Sequence, residues 1–204
     1  MGRTSDARQK ILAAARSLIE ARGYSALGVA EICTAAGVPK GSFYHFFESK
    51  ESLALAVVDE HWEAQRRDWT RALGGDGEPL GRLRQLFEET EAAQHAAQQG
   101  CGTVAGCLFG NLTLELSNQN ESVRERLQEI FEAQVDMVES VVAEARERGD
   151  ITVTDTGEAA RAVVAQLEGQ VLFAKLYNNT GRLSPLWDNC RALLGVSAAS
   201  ERAV

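Results

Sequence analysis

Lys40, Gly41, Ser42, Tyr44, His45 and Lys50 fall within the segment AAGVPKGSFYHFFESKESL, residues 35–53. Apart from Gly41, their side chains share one chemistry, hydrogen-bond donation to phosphate or base-edge acceptors. An ammonium at Lys40 can donate to guanine O6 or N7, and the hydroxyls of Ser42 and Tyr44 and the ring of His45 suit phosphate oxygens. Gly41 and Ser42 are small enough to let a backbone approach base edges closely. Lys50 stands where a following helix should begin, so its charge and the unpaired first-turn amides can share a phosphate. In a free protein a lysine there opposes the helix dipole.

Such residues serve as a reading surface only if something rigid presents them. The spacing predicts three short helices. Asp6 is expected to cap the first, with Ala7, Ile11, Ala14 and Leu18 at helical spacing up to Gly23. The second is expected over 29–36, closed by Gly37, and the third from Pro39 to about Phe47. A tight Ala-Ala-Gly-Val turn between the last two satisfies the helix-turn-helix pattern, and Gly37 can take a left-handed backbone there. Val38, Phe43 and either Phe46 or Phe47 should then face inward, which leaves Lys40, Gly41, Ser42, Tyr44 and His45 outside.

The charge distribution agrees with this division. The 204-residue chain carries a formal net charge of −8, against a protein coated in positive charge. Residues 1–50 hold seven Lys or Arg and four Asp or Glu, a net of +3; residues 51–204 hold fourteen and twenty-five, a net of −11. A small anion-facing module, residues 1–48, attached to an acidic body, residues 49–204, is expected. Apolar residues make up 45%, enough for a substantial core. Cysteines at 33, 101, 107 and 190 form no CxxC pair and no histidine cluster accompanies them, so free thiols and a reducing, cytoplasmic setting are expected. The amino terminus lacks the apolar run of a signal peptide, and the longest mostly apolar stretch, 104–114, is too short to span a bilayer. No membrane, metal or cofactor is anticipated.

Beyond residue 48 the pattern stays helical. Ser49 offers a cap, although Ser52 three residues later departs from the capping-box pattern. Leu53, Val57, Val58, Trp62, Trp69 and Leu73 carry a long helix to the GGDGEP loop at 74–79. Further helices are expected over about 80–97, 111–116, 121–148, 158–177 and from Pro185 to 194, with Asp155 or Thr156 as a cap. The tail SAASERAV should fray. The result is an all-α chain of about nine helices.

The segment GYSALGVAEICTAAGVPKGSFYHFFESKESL strongly resembles the DNA-binding signature of the TetR family of bacterial transcriptional regulators, over about residues 6–55. The resemblance implies an all-α fold, a helix-turn-helix head on an antiparallel helical bundle, acting as a homodimer on a palindromic operator in double-stranded DNA. It implies that Lys40, Gly41 and Ser42 approach bases, that Tyr44, His45 and Lys50 anchor the backbone, and that Thr34 contributes from the second helix. Leu27 and Gly28 stand where many members place Thr or Ser. GCLFGNLTLELS, residues 106–117, and LEGQVLFAKLYNNTGRLSPLW, residues 167–187, look like the body of a subgroup that includes repressors answering reactive electrophiles and acrylate-responsive regulators. Cys107 matches the sensing cysteine of that subgroup. The last two long helices are expected to pair with their symmetry mates.

For the body, Trp62, Trp69, Phe87, Phe109, Phe173 and Tyr177 are candidate walls of an effector cavity, although an ordinary core position is the commoner place for each such ring. Cys33 should pack within the head, and Cys190 in a dimer interface or behind Trp187. A repressor released by a small-molecule inducer is the favoured function; an activator, or regulation without thiol chemistry, stays open. An enzyme is disfavoured because HExxH, GxSxG and Gly-rich phosphate motifs are missing, and a helical interaction protein is the remaining rival.

Overall fold

The computed structural model of the chain describes residues 2–196, and the side chains from residue 6 onward; the expected fraying of residues 197–204 falls outside the described residues. Among the described residues there are nine α-helices and one 3₁₀ turn: α1 (Gly2–Arg22), α2 (Val29–Ala36), α3 (Lys40–Phe46), α4 (Lys50–Leu73), α5 (Pro79–Cys101), α6 (Leu108–Leu116), α7 (Glu121–Glu147), α8 (Thr156–Leu176), the 3₁₀ turn (Thr180–Leu183) and α9 (Leu186–Leu194). The all-α expectation holds. The one β-type contact among the described residues is an isolated bridge between Ile151 and Val196.

Contacts divide the chain into two units. One contains residues up to 64 together with 108–129; the other contains 65–107 and 130 onward. By chain, α4 and α7 each begin in the first and end in the second.

In the first unit, α1 packs against α2, α3 and α6. Three neighbours demand a broader apolar band than one stripe. Its buried residues are therefore Ile11, Leu12, Ala15 and Ile19, whereas Leu18, expected inside, is only half-buried. The helix also starts earlier than Asp6. That carboxylate lies within it and accepts from Lys10 at 2.7 Å, one turn on, instead of capping. At the start of α4, Ser52 N–H donates to Ser49 Oγ and Ser49 N–H donates to Ser52 Oγ, both at 3.1 Å. This is the reciprocal bonding of a capping box with serine in place of Glu or Gln, contrary to the sequence expectation.

The second unit buries one large apolar cluster. Leu83, Val142, Val163, Leu183 and Leu194 are among its most enclosed members. α5 continues past Gly100, since one helical glycine costs only about 1 kcal/mol relative to alanine, and stops at Gly102 with φ +80°. Asp155 caps α8 by accepting from the Glu158 amide at 3.0 Å.

Candidate nucleic-acid interface

Three helices present the predicted surface, and the turn between α2 and α3 sets its geometry. Gly37 is left-handed, φ 65°, which stops α2 without the steric cost a Cβ would impose. Its amide donates to Thr34 O at 3.1 Å and the Val38 amide to Cys33 O at 3.0 Å, the paired bonds of a Schellman ending. Pro39 follows in extended backbone as the residue before α3, so the helix begins at Lys40, not at the proline.

α3 has seven residues and is too short to persist alone. Its anchors are Phe43, 0% exposed, and Phe47, with ring centroids 5.6 Å apart. Phe46 is half-buried, so of the two sequence alternatives Phe47 is the inward one. Lys40, Gly41, Tyr44 and His45 are exposed and Ser42 is half-buried. Tyr44 leaves 58% of its surface in solvent while its ring meets the edge of Phe43 at 5.2 Å. Thr34 is also exposed; its hydroxyl donates to Ala30 O at 2.9 Å, which leaves oxygen lone pairs outward.

Lys50 has a different employment from the one its position suggested. Its Nζ donates to Tyr24 O and to Leu27 O, each at 2.9 Å, and sits 4.0 Å from the centroid of the Tyr24 ring. Burial pushes its pKa down, while nearby Glu115 pushes it up. The Glu115 carboxylate at the end of α6 accepts from the amides of Tyr24 at 3.1 Å and Ser25 at 2.8 Å. A Cβ at Gly23, where φ is +80°, would lie 2.7 Å from Glu115 Oε1. The loop joining α1 to α2 is thus held by an anion on its amides and a cation on its carbonyls. Leu27, where the family resemblance put Thr or Ser, is buried within this loop.

Two sequence profiles match this architecture. The first, described as bacterial regulatory proteins of the tetR family, matches residues 11–57; the second, a tetracyclin repressor-like C-terminal domain, matches residues 79–188. The chain belongs to the TetR family of DNA-binding transcriptional regulators. It is similar to the transcriptional repressor NemR of Escherichia coli K12, 30% identical over 72% of each chain. It is also similar to the repressor DhaR of a Mycobacterium species, 34% identical over 84% of each. Among solved structures, the reduced form of E. coli NemR superposes with a TM-score of 0.82 at 27% identity, over 95% of this chain and 99% of that one. A TetR regulatory protein from Rhodobacter sphaeroides gives 0.84 at 30% identity, over 92% and 98%.

The remaining candidates of this TetR-family chain lie elsewhere. Trp69 is buried in the core of the second unit, whereas Phe109 and Trp62 are buried in the first, with ring centroids 6.3 Å apart. Phe173 and Tyr177 are not enclosed. They stack at 6.5 Å on the outside of α8, with the Arg182 guanidinium 4.4 Å above the Tyr177 ring. Leu172 and Leu176 are exposed beside them.

The four cysteines are thiols, none in a disulfide. Cys33 and Cys190 are buried, and burial pushes the Cys190 thiol up to about 12. Cys107 is half-buried and immediately precedes α6 in the chain. Its side chain hydrogen-bonds the carboxyl of Glu168, whose pKa burial raises and the thiol contact lowers. The loop before it is clasped: the Gln94 side-chain amide accepts from Gly106 N–H at 3.1 Å and donates to Gly106 O at 3.0 Å. Asn178 accepts from Val104 N–H at 2.9 Å and donates to Gly102 O at 3.1 Å. Neither Glu168 nor these two amides was singled out from sequence, since each acts on a backbone group or a thiol twelve or more residues away. Among the described residues no helix is long and apolar enough to cross a membrane, and no group of three or more His, Cys, Asp or Glu side chains could hold a metal ion.

Proposed function

We propose that this TetR-family regulator is a dimeric repressor that reads a palindromic operator with α3 and releases it when a small electrophile modifies Cys107. The observation that carries the DNA-reading part is the outward Lys40, Tyr44 and His45 face of α3 over the buried pair Phe43 and Phe47. Residues 1–48 act as the reading head and 49–204 as the effector and dimerisation body. Lys40, Gly41 and Ser42 approach bases; Tyr44, His45 and Thr34 meet the backbone. Lys50 acts indirectly, by fixing the loop between α1 and α2.

Dimerisation is favoured by the exposed stripe Leu172, Phe173, Leu176 and Tyr177, which water solvates poorly. On this reading Phe173 and Tyr177 belong to the pairing surface and not to an effector cavity. A two-fold pair places its reading helices in successive major grooves, about 34 to 36 Å apart. The thiol step is favoured by the similarity to the NemR repressor and by the clasped loop that delivers Cys107 to the start of α6. α6 ends in the carboxylate that grips the head's loop, so a change at its beginning has a route to the reading surface. The effector shifts the operator equilibrium only through its different affinity for the bound and free states.

One observation favours a second reading, regulation without thiol chemistry: the Cys107 thiol is already engaged in a hydrogen bond to the Glu168 carboxyl. Cys107→Ser distinguishes the two. The variant should bind operator as the wild type does and resist release by N-ethylmaleimide; release at the wild-type rate removes Cys107 from the mechanism.

A further inference from the structure

The first fifty residues hold seven Lys or Arg, and the structure describes six of their side chains. Four are already committed. Lys10 pairs with Asp6, Arg16 with Glu20 at 2.9 Å and Arg22 with Glu31, while Lys50 is spent on two backbone carbonyls. Two cations remain without an ion pair among the described residues, Lys40 and Arg8. Lys40 is the first residue of α3. Arg8, exposed on α1, holds its guanidinium 5.6 Å from the centroid of the Phe47 ring, and Phe47 is the residue that ends α3.

The two uncommitted charges therefore bracket the reading helix. Seven residues of α-helix rise about 10 Å, comparable with a major groove about 12 Å wide. A helix lying in that groove meets phosphates at both edges. The ring beneath Arg8 orients a planar guanidinium, which restricts its rotamers while its N–H edge stays available for bidentate donation to phosphate.

We infer that Arg8, carried by α1 and seated on Phe47, is a DNA-backbone anchor that pairs with Lys40 across the reading helix. The inference rests on the assignment of α3 as the DNA-reading element. Arg8 contributes charge and register and no base preference. It lies before the start of the matched tetR-family profile at residue 11.

The test is fluorescence anisotropy with the full chain and a labelled duplex of arbitrary sequence, about three helical turns long, titrated from about 50 to 200 mM salt. Arg8→Gln should lower the slope of log affinity against log salt by about 1, so its deficit at the low-salt end exceeds that at the high-salt end by about threefold. Arg8→Lys should restore the slope but not the full affinity, because an ammonium lacks the planar fork. Arg16→Ala, which removes a cation already paired, should leave the slope unchanged. Thermal melts of the three variants report whether each is folded. A wild-type slope and affinity in Arg8→Gln, with Lys40→Ala still impaired, overturns the anchor and spares the reading helix. Wild-type protein with no salt-dependent affinity for duplex DNA overturns both.

Discussion

The outer face of α3 and the outer face of α8 are built on opposite plans. On α3 two phenylalanines are hidden and the exposed Lys40, Tyr44 and His45 carry donors; on the C-terminal half of α8 Val171 and Ala174 are hidden and the exposed Leu172, Phe173 and Leu176 are apolar as well. Water satisfies the first face and is expelled cheaply only from the second. A wet, charged surface suits an anionic partner that brings its own hydration and counterions, and a dry aromatic surface suits a second copy of the chain. The contrast also separates their sensitivities: salt should weaken what α3 does and affect α8 little.

The largest effect is expected where the polar face depends on its hidden support. Phe43→Ala should cost about 3–5 kcal/mol of stability in the reading unit, as a truncated core phenylalanine does. Denaturant unfolding checks it, and a loss below about 1 kcal/mol means that the donors are not presented by this ring.

Acid should separate the two units next. In the reading unit, burial first and the Arg16 charge second push His61 down to about 4 from an ordinary 6.5, and its enclosed Nδ1 has no hydrogen-bond partner. The unfolded chain therefore binds the extra proton between those values. This contribution to stability is complete above pH 6.5 and is lost as pH falls toward 4, on the order of 3 kcal/mol. Unfolding free energies across that window should fall more steeply for the wild type than for His61→Gln. The buried thiol of the body, Cys190 at about 12, titrates far outside it.

On the apolar face, Leu176→Glu should weaken self-association by about 1.5–3 kcal/mol per protomer, the scale of a fully buried leucine. Sedimentation velocity reports the shift to monomer; an unchanged dimer places the pairing surface elsewhere.

Much of this contrast was legible in the residue pattern because helical spacing and glycine stops are local signals. Gly37, Phe43 and the outward Lys40 and Tyr44 could be placed from their neighbours alone. Tertiary partners could not. Lys50 carries a formal charge suited to phosphate, yet its partners Tyr24 and Leu27 lie 26 and 23 residues earlier, and nothing local announces them. Glu115 reaches back 91 residues to Tyr24. Phe173 and Tyr177 read as core or cavity wall because aromatic rings are usually buried, and their exposure is a property of the assembled helices. The reciprocal bond from Ser52 at the expected Ser49 cap was missed because the capping-box pattern looks for a longer acceptor at the third position.

A smaller, local effect sharpens the link between α6 and the head. Glu115→Ala should speed hydrogen exchange at the Tyr24 and Ser25 amides by about tenfold, equivalent to roughly 1.4 kcal/mol of lost local stability. Exchange at the wild-type rate implies that the Lys50 contacts hold the loop unaided.

The central claim, that α3 reads duplex DNA with Lys40 on base edges and Tyr44 on the backbone, is tested most directly by selecting bound duplexes from a random pool with wild type, Lys40→Ala and Tyr44→Phe. The account predicts a palindromic consensus for the wild type, an altered consensus for Lys40→Ala, and the wild-type consensus at weaker affinity for Tyr44→Phe. Identical consensus and affinity for all three proteins would contradict it.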